Sequence, residues 1–188
     1  MKSEEDLKWI TDSRTKVFSS PILSLDVVHR FAKDGREGDF ITLSNPNAVI
    51  ILPLIRREDG EEVFIMENQF RHGSEDVTRE FPAGLIEEGE RSEDAAKREL
   101  LEETGMKGKL TMLAQFSPNP AFMNNTHFVY LCTELEKCSE QKLDQNEEIE
   151  IVEVPLKALM RDAFKKPYNN SSTLVALLYY LLYKENLK

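Results

Sequence analysis

The sequence has few cysteines and no long apolar run, and both shortages narrow the kind of protein that it encodes. Its two cysteines, Cys132 and Cys138, match neither a disulfide framework nor a zinc-binding spacing. The longest apolar run, residues 174–183, is shorter than the about 20 residues that a membrane-spanning helix needs. The opening segment, MKSEEDLKWI, is acidic and lacks the apolar stretch of a signal peptide. We therefore expect a cytoplasmic protein without a membrane partner.

Positive charge is also scarce, and this argues against nucleic acid as a partner. The chain has 24 Lys and Arg residues against 34 Asp and Glu residues, a formal net charge of −10. Such a surface repels a polyanion, whereas a small anionic substrate could bind if metal ions and a few arginines neutralise its pocket. The 188 residues are enough for one full domain and an extension, and the mean hydropathy of −0.44 predicts a globular chain.

The acidic residues are most informative in residues 84–106, GLIEEGERSEDAAKRELLEETGM. In a helix, Glu99, Glu102 and Glu103 lie three and four residues apart and share one face. Like charges at this spacing destabilise a helix by about 0.2–0.5 kcal/mol per pair, so we expect a compensating cation. Carboxylates suit Mg²⁺ or Mn²⁺, which also bind phosphate oxygens. The segment predicts metal-assisted chemistry on a phosphate ester or anhydride; the alternative is a solvated acidic helix.

The neighbouring residues favour the metal site. Arg98 precedes Glu102 by four residues and can pair with it, while Ser92 is a candidate N-cap for the helix. Gly84 lets backbone approach closely, and Gly105 suits the left-handed position after a helix.

Together these residues resemble the Nudix box, and every specified position of that motif is present. The matching residues are Gly84, Glu90, Arg98, Glu99, Leu100, Glu102, Glu103, Gly105 and Met106. The resemblance to Nudix hydrolases implies an α/β/α sandwich with a mixed β-sheet. It also implies a loop–helix–loop metal site that cleaves a nucleoside diphosphate linked to another moiety.

The same resemblance implies a role for each residue of the box. The ligands of Mg²⁺, or alternatively Mn²⁺, would be Glu99, Glu102, Glu103 and the backbone carbonyl of Ala83. Gly84, Glu90, Arg98 and Gly105 would hold the loop and the helix together.

Sequences beside the box indicate the substrate class. Gln69-Phe70-Arg71 and Glu80-Phe81-Pro82-Ala83-Gly84 are similar to elements of ADP-ribose and nucleotide-sugar pyrophosphatases. By this resemblance, Arg71 would bind a phosphate, a task that suits the guanidinium fork, and Glu80 would accept hydrogen bonds from the base or sugar. Pro120 would mark the ADP-ribose-type branch. Residues 121–125 depart from that branch, which leaves sugar nucleotides such as ADP-glucose or GDP-mannose open.

A further acidic loop, residues 143–148, precedes a predicted strand. Similar enzymes carry a glutamate there that acts as general base or additional metal ligand. Glu147 matches best and Glu148 is the alternative, while an ordinary solvated loop stays open for either residue.

The periodicity predicts a β-rich core covered by helices. We expect a strand over residues 47–55, in which Pro53 indicates an edge or a bulge, and a hairpin to a second strand around residues 63–70. Further strands are predicted over 110–116, 126–135 and 148–154, and helices over 156–164 and 172–183. The box helix would cover one face of the sheet and the well-buried C-terminal helix the other.

Residues 1–46 are expected to form a small N-terminal β subdomain, and residues 47–188 the hydrolase domain. Strand-like stretches at residues 22–28 and 40–43 flank a charged turn, but a lone hairpin is not stable. The resemblance implies that this sheet makes a homodimer.

The sequence thus predicts a Mg²⁺-dependent enzyme whose partner is a small nucleotide-sugar molecule. It would hydrolyse ADP-ribose or a nucleoside diphosphate sugar to a nucleoside monophosphate and a sugar phosphate. Alternatives within the enzymes are dinucleoside polyphosphates, nucleoside triphosphates and capped RNA. A non-catalytic nucleotide-sugar sensor is the alternative outside them, although such proteins usually lose box carboxylates.

Overall fold

The computed structural model describes residues 2–168 and 170–187, which form two compact units. The first contains the residues up to Pro46 together with Ser117–Thr126, and the second contains Asn47–Phe116 and the described residues from His127 onward.

The first unit is a three-stranded antiparallel sheet. A short helix, α1 (Glu4–Leu7), precedes strands β1 (Trp9–Ser19), β2 (Ser24–Ala32) and β3 (Glu37–Ser44), which lie side by side in this order. The segment Ser117–Thr126 belongs to this unit because the Leu43 N–H donates to the Phe122 carbonyl at 2.7 Å, and Leu43 accepts from the Asn124 N–H at 3.2 Å.

Strand β1 was not predicted from the sequence. Its middle, TDSRTK, is polar and has no apolar alternation, and β1 is exposed along almost its whole length. The strand forms because its backbone pairs with β2 from Trp9 to Ser19. Backbone pairing of this kind leaves little trace in side-chain hydrophobicity.

The second unit is a mixed sheet of seven strands with three helices. The strands are β4 (Ala48–Arg56), β5 (Glu62–Arg71), β6 (Asp76–Glu80), β7 (Ala83–Leu85), β8 (Met106–Phe116), β9 (His127–Lys137) and β10 (Ile149–Pro155). The helices are α2 (Ser92–Thr104), α3 (Leu156–Asp162) and α4 (Ser171–Glu185). The main strand order is β10-β5-β4-β9-β8, with β6 beside β5 and β7 beside β4. Strands β4 and β9 are parallel, and the other pairs of this sheet are antiparallel.

Strand β4 is the centre of this unit and is buried on both faces. On one face, Val49 and Ile51 belong to the cluster that contains Leu100 of α2. On the other, Ile50 and Leu52 belong to the cluster that contains residues of α4. Successive strand residues point to opposite faces, so α2 and α4 cover the two sides of the sheet. The predicted α/β/α sandwich is confirmed.

Pro53 lies in this central strand, so the predicted edge position is wrong. The predicted alternative, a bulge, is not found either, because β4 pairs with β9 from Ala48 to Pro53 without a register shift. The Ile51 N–H donates to the Pro82 carbonyl at 2.8 Å, and the Pro53 nitrogen faces the same side because residues two apart point alike. Pairing with β7 involves residues 48–50 and pairing with β5 begins at Leu54. The proline therefore lies where β4 changes partners, and the ladder loses little by its missing N–H.

The C-terminal helix is only half buried. Thr173, Ala176, Leu177 and Tyr180 form its buried face, whereas Leu178 and Leu182 are 53% and 51% exposed. The expectation that this apolar helix is well buried therefore holds for one face and is wrong for the other. In the described part of the chain, none of the helices is long and apolar enough to cross a membrane.

Candidate active site

Helix α2 carries Glu99, Glu102 and Glu103 of the box, and Gly105 follows its last residue. This glycine has φ 68°, and its N–H donates to the Leu101 carbonyl at 2.8 Å, as in a left-handed helix end. The N-terminus differs from the prediction, because Arg91 occupies the N-cap position and Ser92 is the first helical residue. The Ser92 hydroxyl lies 2.8 Å from the Tyr130 hydroxyl, so it links the helix to β9 instead of capping it.

The Glu99 carboxylate lies directly on Gly84 of β7. A Cβ atom built on Gly84 would be 1.9 Å from Glu99 Cδ and 2.0 Å from its Oε1, distances that no real side chain allows. A glycine at this position therefore makes room for the carboxylate, and the close approach expected at Gly84 is an approach to the acidic face of the helix.

Arg98 connects the loop and the helix. Its guanidinium donates to both carboxylate oxygens of Glu90, at 3.0 and 2.9 Å, and to the Leu85 carbonyl at 2.9 Å. It also donates to Glu99 at 2.7 Å and to Glu102 at 3.2 Å. The hydrogen bonds from Arg98 lower the pKa of Glu90. One arginine thus holds three carboxylates of the box at the end of the loop.

Glu103 is the most buried carboxylate of the box, with 4% of its surface exposed. Its Oε2 accepts a hydrogen bond from the Ala83 N–H at 3.0 Å. Burial raises the pKa of Glu103, and repulsion from Glu67 and Glu99 raises it further. The helix and the Ala83 backbone therefore meet at a buried carboxylate. Within residues 2–168 and 170–187, Glu103 forms no ion pair with a lysine or arginine, although the charge of Glu103 contributes to the raised pKa of Arg71.

Glu67 was missed by the sequence analysis and is part of the same acidic group. It lies on β5 opposite Glu80 of β6 and is completely buried. Neither of its carboxylate oxygens has a hydrogen-bond partner among the described residues. Burial raises the pKa of Glu67, and repulsion from Glu80, Glu147 and Glu99 adds to this, while Arg71 opposes it. A signal was present, because an acidic residue directly following the apolar residues 63–66 is unusual for a buried strand.

Glu147 lies in an exposed loop before β10. Its repulsion contributes to the raised pKa values of Glu67, Glu99 and Glu103. The Asp144 N–H donates to the Glu147 carboxylate at 3.2 Å. The Glu147 carboxylate is therefore exposed to solvent, while its charge still acts on the buried glutamates. Glu148 is also exposed.

The chain just before this loop is attached to the C-terminal end of α2. Gln141 donates through Nε2 to the Glu103 carbonyl at 2.7 Å, and the Lys142 N–H donates to the Glu102 carbonyl at 2.8 Å. These bonds satisfy carbonyls that a helix end leaves free, and they fix where the acidic loop begins.

Arg71 and Glu80 form a two-point ion pair. Arg71 donates through Nε and Nη2 to the two carboxylate oxygens of Glu80, at 2.8 and 3.0 Å, and the Thr78 hydroxyl also bonds to Glu80. Glu80 is 5% exposed, whereas the Arg71 side chain is 40% exposed. The remaining candidate, Pro120, lies in Ser117–Thr126 of the first unit.

The carboxylate oxygens of this acidic group are of the kind that bind a divalent cation. Among the described residues, however, no three Asp, Glu, His or Cys side chains already converge on one point as a ligand set. Two of the box carboxylates, Glu99 and Glu102, are instead paired with Arg98. The negative charge nevertheless exceeds the positive charge here, and Glu67 has two buried oxygens without partners. Hard oxygen donors in surplus suit Mg²⁺ or Mn²⁺.

Comparison with known proteins decides the family. A model of the NUDIX domain matches residues 45–174. The chain belongs to the Nudix family. This Nudix hydrolase is 33% identical over 181 residues to an ADP-ribose pyrophosphatase of Bacillus subtilis, covering 95% of this chain and 94% of that protein. It is 28% identical over 166 residues to a methanol dehydrogenase activator of Bacillus methanolicus, covering 87% and 88% of the two chains.

A solved structure supports the fold of this Nudix protein. The crystal structure of an ADP compounds hydrolase superposes with a TM-score of 0.85 and 24% sequence identity, covering 98% of each chain. The predicted fold class and the predicted class of enzyme, a Nudix pyrophosphohydrolase, are confirmed.

Proposed function

We propose that this Nudix enzyme hydrolyses the pyrophosphate bond of ADP-ribose or of a related nucleoside diphosphate sugar. The products would be a nucleoside monophosphate and a sugar phosphate. The observation that carries this proposal is the alignment with an ADP-ribose pyrophosphatase over nearly the whole of both chains. The complete set of box carboxylates supports catalysis and weighs against a sensor that has lost them.

Mg²⁺ is the proposed cofactor, with Mn²⁺ as the alternative, held by Glu99, Glu102, Glu103 and the Ala83 carbonyl. When bound, such a cation polarises phosphate oxygens and lowers the pKa of an attacking water. The Ala83 N–H already binds Glu103, and Gly84 leaves space for Glu99. These contacts support a site at which β7 and α2 supply oxygen atoms together.

Glu147 is the proposed general base and would accept the proton of the attacking water. Its electrostatic effect on Glu67, Glu99 and Glu103 supports this role, as does the attachment of its loop to the end of α2. Glu148 is the alternative, in the same exposed loop.

Arg71 is proposed to bind a substrate phosphate. Its contacts with Glu80 use Nε and Nη2, which leaves Nη1 donors for a phosphate oxygen, since a guanidinium carries five N–H donors. The same contacts occupy both oxygens of the buried Glu80. We therefore infer that Glu80 orients Arg71, instead of accepting hydrogen bonds from the base or sugar as expected from the sequence.

A phosphate-release screen tests the substrate. Purified protein with Mg²⁺ and alkaline phosphatase would be given ADP-ribose, ADP-glucose, GDP-mannose, UDP-glucose, diadenosine polyphosphates and nucleoside triphosphates. We expect dominant turnover of one diphosphate-linked sugar, with ADP-ribose first. Turnover confined to triphosphates or polyphosphates would contradict the proposal.

The N-terminal sheet is proposed to form a homodimer. Strand β1 is an edge strand, and apolar side chains of this unit are more than 45% exposed: Ile10, Val17, Phe18, Ile22 and Ile41. Unpaired edges and exposed apolar groups favour association with another chain. Sedimentation velocity at micromolar concentration should give twice the 21.7 kDa of one chain, and a Val17→Lys variant should shift the protein toward the monomer. A wild-type monomer would contradict the proposal.

A further inference from the structure

Glu67 is a buried acid without a visible partner. It follows a run of four buried residues in β5, Val63, Phe64, Ile65 and Met66, each at most 1% exposed. Glu67 itself is 0% exposed, and both of its oxygens lack a hydrogen-bond partner within the described part of the chain. Buried polar groups are nearly always hydrogen-bonded, because burying an unpaired charge is costly.

The groups around Glu67 do not provide the hydrogen bonds that would offset the cost of burying its carboxylate. Its neighbour across the sheet, Glu80, is also acidic and is already paired with Arg71. Arg71 attracts the Glu67 carboxylate, but its guanidinium donates to Glu80. The other groups that act on Glu67 are Glu147 and Glu99, both negative.

Glu67 also acts on the deepest box carboxylate. Glu67 pairs across the sheet with Glu80, which precedes Ala83 by three residues, and the Ala83 N–H donates to the Glu103 carboxylate at 3.0 Å. The two acids therefore lie at the same part of the sheet, and repulsion from Glu67 is the largest contribution after burial to the raised pKa of Glu103. Glu67 comes from the sheet and Glu103 from the helix. An unpaired buried acid that faces a second buried acid is the arrangement that a shared cation stabilises, since each carboxylate then gains an opposite charge.

We propose that Glu67 is a further ligand of the divalent cation, supplied by the sheet and acting alongside Glu103 of the box helix. This inference rests on the metal site of the proposed function and adds a residue that lies outside the box. A purely structural role predicts the opposite behaviour, because a carboxylate that stabilised the core would have hydrogen-bond partners in the metal-free protein.

Direct measurement of Mn²⁺ binding tests the role of Glu67. The metal-free full chain would be titrated with Mn²⁺ while the electron paramagnetic resonance signal of the free ion is followed. We expect Glu67→Gln to raise the Kd for Mn²⁺ about tenfold or more, the effect that loss of a metal-site group typically has. The matched control is Glu88→Gln, which removes one charge from an exposed position of the box loop and should leave the Kd within about twofold of wild type.

A second variant separates metal binding from folding. Glu67→Met places an apolar side chain of similar length in an apolar strand, so the metal-free variant should melt at the same temperature as wild type or higher. Its affinity for Mn²⁺ should nevertheless fall as in Glu67→Gln. An unchanged Kd in either folded variant would overturn the proposal, as would a lower melting temperature of Glu67→Met with normal Mn²⁺ binding. Wild-type protein that binds no Mn²⁺ would overturn it too.

Failure of the Glu67 proposal can be distinguished from failure of the substrate proposal. Mn²⁺ binding that depends on Glu67, in a protein that does not hydrolyse ADP-ribose or nucleotide sugars, would contradict only the proposed substrates. Hydrolysis of these substrates with unchanged Mn²⁺ affinity in the Glu67 variants would contradict only the role of Glu67.

Discussion

Glu103 combines burial, a backbone contact and repulsion from other acids. Its carboxylate accepts from the Ala83 N–H at 3.0 Å, so a glutamine can keep that hydrogen bond through its carbonyl oxygen while losing the negative charge. We expect Glu103→Gln to fold normally and to lower kcat at least about 100-fold, because a metal ligand loses its charge. Steady-state kinetics with ADP-ribose and Mg²⁺, beside circular dichroism, measures both effects.

The control for this variant is Glu88→Gln, which changes the same charge on the exposed loop and should keep most of the activity. Near-normal turnover of Glu103→Gln would contradict the assignment of this residue to the metal.

Glu147 and Glu148 are adjacent and both exposed. A glutamine variant at either position is therefore a matched control for the variant at the other. If Glu147 accepts the proton of the water, Glu147→Gln should lower kcat about 100-fold or more and change the acidic limb of the pH–rate profile, as loss of a general base does. Glu148→Gln should leave both nearly unchanged. The pH dependence of kcat measured for both variants decides between them, and the reverse order would assign the base to Glu148.

At the scale of elements, the contact between β7 and α2 determines where the Glu99 carboxylate lies. A Cβ at Gly84 would collide with the Glu99 carboxylate at 1.9 Å, so Gly84→Ala should displace Glu99 from its position beside the backbone. We expect this variant to bind Mn²⁺ about tenfold more weakly or worse, with a small loss of stability because the collision involves the end of a side chain. Titration with Mn²⁺ and thermal melting measure the two effects.

Gly73→Ala is the matched control for the glycine variant. A Cβ at Gly73 would meet no atom of the described residues within 4 Å, and Gly73 is not among the glycines with positive φ. This variant should bind Mn²⁺ as wild type does. Equal affinity of the two alanine variants would show that the space at Gly84 is not needed by Glu99.

The elements differ in how far the sequence could predict them. Strands β4 and β5 were predicted because their apolar residues are buried on the sheet. Helix α2 was predicted because its glutamates recur at helical spacing and Gly105 marks its C-terminal end, although its N-cap is Arg91 and not the predicted Ser92. Strands β6 and β7 were not predicted as strands, because they are five and three residues long and form by pairing with β5 and β4. Pairing between distant segments has no local sequence signal.

At the scale of the whole molecule, the candidate site also depends on contacts between distant segments, which have no local sequence signal. Glu99, Glu102 and Glu103 lie on one helix, so their spacing alone predicted that they share a face. Glu67 lies on β5, and its approach to Glu103 requires β5 to pair with β4 and α2 to pack on β4. Because this proximity depends on the packed unit, the sequence alone could not assign Glu67 to the acidic group.

The buried acids make the stability of the metal-free protein depend on pH. The pKa of Glu67 is raised from 4.5 to about 8, chiefly by burial. Between these values the folded protein retains a proton that the unfolded chain releases, so the free energy of unfolding falls as the pH rises through this window. The pKa of Glu103 is also raised, which adds to the slope. Acids with lowered pKa values, such as Glu90 beside Arg98, stabilise the folded protein through this window and lose that contribution to stability only at lower pH.

Urea unfolding of the metal-free protein between pH 5 and 8 measures this slope. We expect the stability to decrease toward pH 8 in wild type and to decrease less in Glu67→Met, which has no proton to retain at this position. Added Mg²⁺ should stabilise the protein more at pH 8 than at pH 5, because the cation binds deprotonated carboxylates and binds the folded state. Stability that rises steadily from pH 5 to 8 without metal would contradict the presence of buried, unpaired acids at this site.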